Sequence, residues 1–143
     1  LHLSSAASDV YKRQDIYSHN NHSSVNIIRE ENMGYLYLII AIIGEVVGTL
    51  SLKSSNGFTA ITPSILVIVG YGVAFYFMIL SMKTIPVAIT YSIWSGVGIA
   101  AVTFIASMKF NEKPDIFAFI GLSFIIIGII ILVSLSKMGA KIS

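Results

Sequence analysis

One carboxylic acid in an otherwise oily stretch is the residue best placed to do chemistry. Glu45 lies near the middle of 34–53, GYLYLIIAIIGEVVGTLSLK, with no other charge before Lys53. About 20 residues at ~1.5 Å each reach ~30 Å, the thickness of a bilayer's hydrocarbon core. An acid at that depth costs about 2.5–3.5 kcal/mol on insertion scales, which is rarely tolerated without a function. Ala41, Gly48 and Thr49 lie one helical turn away and Gly44 adjoins it. The acid therefore shares a face of small residues that can admit a ligand or a neighbouring helix. The plainer alternative is a protonated Glu45 hydrogen-bonded to another helix, a task Asn or Gln would perform without the ionisation cost.

Aromatic residues supply the second ingredient. Tyr91 and Trp94 are three apart and share a helix face, and Tyr71, Phe75 and Met78 form a similar stripe upstream. Aromatic faces attract cations by roughly 0.5–2 kcal/mol, and quaternary ammonium groups are familiar guests. Such stripes are often packing alone. Trp94, however, falls well inside its apolar span rather than at the interface where membrane tryptophans gather. An acid with aromatic walls in a dry site suits a lipophilic organic cation. Gly96 and Gly98 lie mid-span and allow either close packing or a hinge, which alternating access would use. Gly121 and Gly128 are seven apart, two turns along one stripe, and their span lacks a charged residue in its middle. That pattern suits helix–helix contact, hence dimerisation, better than ligand binding.

The elements that must hold these residues follow from composition. The chain has 143 residues, 55% hydrophobic and 11% charged, with mean hydropathy +0.84. That is the composition of a membrane protein. A net charge of +2 without a basic cluster argues against nucleic acid. The absence of cysteine excludes a disulfide frame and a thiolate metal site. His2, His19 and His22 fall in a polar leader and do not resemble metal ligands. No nucleophile–base pair or phosphate loop points to an enzyme, and nothing calls for a cofactor.

Residues 1–32 are polar, lack helical or strand periodicity, and lack the apolar centre of a secretory signal. They are expected to be a disordered or non-native leader, with the true start at Met33. The segment 33–143 then carries four spans at 34–53, 64–82, 87–108 and 115–135. Ser54-Ser55-Asn56-Gly57 is a turn signal, Pro63 and Pro114 suit helix starts, and Lys83-Thr84-Ile85-Pro86 makes a short connection. Asp115 falls at a helix N-terminus, where the dipole favours it. Glu45 is thus the acid left inside the membrane, with no mid-span base to neutralise it. The fold class expected is all-α, a four-helix transmembrane bundle. Arg29, Lys83, Lys137 and Lys141 would lie on one side and Lys53, Lys109 and Lys113 on the other. Four against three gives the positive-inside rule little to act on, so dual topology is an expectation beside a fixed orientation.

These residues resemble the small multidrug resistance family of proton-coupled exporters across nearly all of 33–136. The matching pieces are Tyr35-x-Tyr37, Ala41 with Glu45, Gly48-Thr49, Lys53, Gly57-Phe58-Thr59 and Pro63. They continue with Ile85-Pro86, the run Tyr91-Ser92-Ile93-Trp94-Ser95-Gly96-Val97-Gly98, and Gly121 with Gly128. The resemblance implies an antiparallel homodimer in a prokaryotic inner membrane, in which two copies of Glu45 bind protons or substrate in competition. It also implies that Tyr71, Tyr91 and Trp94 line the site and that the fourth spans hold the dimer together. Guanidinium exporters of the family carry Trp three residues after the acid, where this chain has Gly48, so Gly48-Thr49 resembles the quaternary-ammonium subtype. Ala74 stands where some relatives have a serine. A guanidinium or polyamine exporter, a non-transporting assembly subunit and an ion-conducting pore are the competing expectations.

Overall fold

The computed structural model describes residues 2–137, with side chains described from Ser24 onward. The described residues form four α-helices and no strand: α1 His2–Ser54, α2 Ile61–Ser81, α3 Val87–Lys109 and α4 Ile116–Leu135. The chain divides into two compact units, Leu1–Met33 and Gly34–Ser143. In the first, the backbone is helical from His2 on.

The second unit contains the bundle. Ser24–Ser54, Ile61–Ser81, Val87–Lys109 and Ile116–Leu135 are each long and apolar enough to cross a membrane. At 21, 23 and 20 residues the last three each rise ~30 Å or slightly more. Leu38, Ala41, Val46, Val67, Ala74, Ile85 and Ile89 form the small core within the chain. Most other large apolar side chains point outward, as lipid requires of a spanning bundle.

The helix ends have local causes. The α1–α2 connection turns through three successive left-handed residues, Asn56, Gly57 and Phe58, at φ 48°, 66° and 66°. Ser55 Oγ donates to the Leu52 carbonyl at 2.7 Å and accepts the Phe58 N–H at 3.3 Å, holding that turn together. Helix α2 begins at Ile61 rather than at the expected residue 64, which makes Pro63 its third residue. Its missing N–H still falls in the first turn, where no helical acceptor exists. Pro86 caps α3 at φ −54°, and Asn111 at φ 57° follows its end. Asp115 caps α4 by accepting the Ala118 N–H at 2.8 Å, so its charge sits at the positive end of the dipole.

Candidate functional site

Glycines bring the first three helices close enough to build a site. Gly44 and Gly70 meet where α1 crosses α2. A Cβ on Gly70 would lie 2.8 Å from both the Gly44 carbonyl oxygen and the Gly48 nitrogen. A Cβ on Gly44 would lie 2.8 Å from the Gly70 carbonyl oxygen and 2.9 Å from the Ala74 nitrogen. The two backbones therefore touch, and Ala74 and Ala41 are fully buried around the crossing. Gly98 of α3 abuts the Glu45 carboxyl of α1, so closely that a Cβ there would collide with it. A side chain at this position would have to push the carboxyl aside.

The aromatic wall begins one turn beyond. Gly48 packs on the Tyr71 ring, with a notional Cβ 3.1 Å from Cδ2, and the Tyr71 hydroxyl hydrogen-bonds Thr49 Oγ1 at 2.9 Å. Tyr71 stacks on Phe75 at 6.1 Å between centroids and 20° between planes. Phe75 reaches across to Trp94 of α3 at 6.2 Å, and Trp94 contacts Tyr91 at 5.5 Å. Four rings thus run unbroken from α2 to α3. Each face that a cation could meet is electron-rich.

Two polar atoms at this place are buried without a hydrogen-bond partner, Glu45 Oε2 and Trp94 Nε1. The lysine nearest in sequence, Lys53, is engaged elsewhere: it pairs with Glu112 and lies 4.7 Å over the Phe110 ring. Among the described residues no group of three His, Cys, Asp or Glu could hold a metal ion.

The expected residues do not all meet at one place. Gly48, Thr49 and Tyr71 meet where α1 faces α2, Tyr71 is joined through Phe75 to Trp94 and Tyr91, and Glu45 meets Gly98 of α3. Ala41 is a packing residue at 0% exposure. Gly96 and Gly98 face opposite ways, Gly96 against Ile129 and Ile125 of α4 and Gly98 against Glu45. Gly121 and Gly128 have open space around them within the chain. Phe75 was visible in sequence only as part of a stripe, yet it is the ring that links the two helices. Its spacing of four from Tyr71 was the available signal. Gly70, whose contact with Gly44 sets the helix crossing, carried no signal beyond being a glycine beside Tyr71.

Comparison with known proteins places these features in context. Residues 33–125 match the family described as Small Multidrug Resistance protein. The chain is 49% identical over 107 residues to the quaternary ammonium compound-resistance protein QacE of Escherichia coli, covering 75% of this chain and 97% of that one. It is 47% identical over 106 residues to QacF of Klebsiella aerogenes, also named for quaternary ammonium resistance, covering 74% and 96%. A putative ethidium bromide resistance protein of Escherichia coli is 50% identical over 93 residues, covering 65% and 81%.

Proposed function

Because the chain belongs to the small multidrug resistance family, we propose that it is a proton-coupled antiporter exporting lipophilic organic cations such as quaternary ammonium compounds. Its family consists of transporters rather than enzymes, and the chain is a multi-pass protein of a prokaryotic inner membrane. The observation that carries the reading is Glu45 Oε2, buried without a hydrogen-bond partner and set against Gly98 of α3, the helix that also carries Trp94 and Tyr91. A carboxylate in that position needs a positive guest. A proton satisfies it through a covalent O–H bond, and an organic cation satisfies it through charge while stacking on Tyr71, Phe75, Trp94 and Tyr91.

Competition between those guests couples the two flows. A cation that arrives must displace the proton, and a proton that returns must displace the cation. In an antiparallel homodimer two copies of Glu45 share the work and titrate as a coupled pair, whose apparent values belong to the dimer. Gly96 and Gly98, without side chains of their own, are the proposed hinge about which the halves rock. Each unit of pH difference across the membrane then supplies ~1.4 kcal/mol per proton to drive the exchange. The names of QacE and QacF support the substrate class, and Gly48, where the guanidinium subtype resembled above has Trp, supports quaternary ammonium over guanidinium.

Proteoliposomes with an imposed pH gradient test the proposal. Quaternary ammonium uptake should track the gradient, with guanidinium a poor substitute. Uptake of neither, or current without coupled exchange, would refute it in favour of a docking subunit or a pore.

A further inference from the structure

The two unpartnered atoms at the site are opposite in kind, and the antiporter reading uses only one of them. Glu45 Oε2 is an acceptor that a cation or proton satisfies. Trp94 Nε1 is a donor and nothing else. A quaternary ammonium group has no acceptor to offer it, so a bound alkylammonium leaves the indole N–H buried and unpaired.

The position of that N–H relative to the acid defines what would satisfy both. Trp94 lies one turn before Gly98, the glycine that abuts the Glu45 carboxyl, so indole and acid share one face of α3. The ring is held by contacts with Tyr91 and Phe75 at 5.5 and 6.2 Å. Phe75 has no acceptor, and the Tyr91 hydroxyl makes no hydrogen bond to the indole. Ala74 and Gly70, buried on the facing side of α2, bring no side-chain acceptor either. A ligand that satisfies both needs a positive nitrogen at one and an oxygen acceptor at the other.

We propose that the Trp94 N–H is a specificity-determining donor that selects, among lipophilic ammonium cations, those with an ester, ether or amide oxygen a few bonds from the charged nitrogen. The inference rests on the antiporter reading of the same site and narrows its substrate class.

A matched pair of cations tests it. Butyrylcholine has an ester two carbons from its trimethylammonium group, and heptyltrimethylammonium has a plain chain of the same length. In proteoliposomes with a pH gradient, the KM ratio of alkyl to ester cation should fall about tenfold from the wild type to Trp94→Phe, or ~1.4 kcal/mol. Trp94 also belongs to the ring array, so transport of both cations falls in the variant, and the ratio between them isolates the N–H from the stacking. A ratio unchanged by the substitution overturns the proposal, because the N–H then serves a protein acceptor. The chain has a single tryptophan, so the wild type offers a second reading should Trp94→Phe be inactive. Butyrylcholine should move the lone indole N–H proton resonance downfield and heptyltrimethylammonium should not, and equal movement by both overturns the proposal. Coupled transport with no ester preference overturns this inference alone, whereas absence of coupled transport for both cations overturns the antiporter reading and this inference with it.

Discussion

Replacing Glu45 by Gln preserves shape and removes ionisation, so it separates the acid's chemistry from its packing. The Glu45 carboxyl fits against Gly98, and an amide of equal size fits the same place. Glu45→Gln should therefore fold and assemble as the wild type does, while cation-for-proton exchange is abolished. Glu45→Asp withdraws the carboxyl by one methylene, ~1 Å or more from the rings; exchange should survive at a reduced rate with a shifted pH profile. Trp94→Ala removes the middle of the ring array, which touches both Phe75 and Tyr91. Binding titrations should show large aromatic cations weakened about tenfold and tetramethylammonium much less, since stacking scales with the area of the guest. Equal losses for both would argue against stacking. At this scale the sequence told much: an acid amid apolar residues and two aromatic stripes could be read from types and spacing. Which stripes meet could not be read. Helical spacing identifies a face but not the helix it faces, and so the bridging role of Phe75 became visible only with α2 and α3 packed.

Helix contacts divide the glycines into those that meet backbone and those that meet side-chain tips. A Cβ on Gly70 would press on main-chain atoms of Gly44 and Gly48, which cannot move without separating α1 from α2. A Cβ on Gly96 would press on the end of Ile129, a side chain that can rotate away toward lipid. Gly70→Ala should therefore cost about 1–3 kcal/mol of bundle stability, the range for overpacking. Gly96→Ala should cost clearly less, and unfolding in detergent with increasing denaturant compares the two. Gly98→Ala falls between them in kind, because its clash is with the Glu45 carboxyl itself, and it should impair exchange more than stability. The four spans were legible because each is an unbroken apolar run with Pro, Gly or Asn at its ends. The start of α2 was not, because proline is tolerated anywhere in a first turn and marks that turn rather than its first residue.

The described residues bury few of their side chains. No residue of α4 is buried, and Gly121 and Gly128 have nothing against them. In lipid that exposure carries no hydrophobic cost, and the proposed dimer would set a second α4 against these small residues. If the proposed homodimer closes there, Gly128→Leu should fill the groove, shift the molecule toward monomer in detergent crosslinking, and abolish transport without unfolding the single chain. The near balance of lysine and arginine across the membrane, read from the sequence, leaves both orientations open to such a pair. The proposed exchange depends on one event, the expulsion of a proton from Glu45 by an arriving cation. That event is measured directly by adding a quaternary ammonium compound to purified, detergent-solubilised protein in weak buffer and recording the protons released. The account predicts release that saturates with the cation in the wild type and vanishes in Glu45→Gln. Cation binding without release in the wild type, or undiminished release from Glu45→Gln, would contradict it.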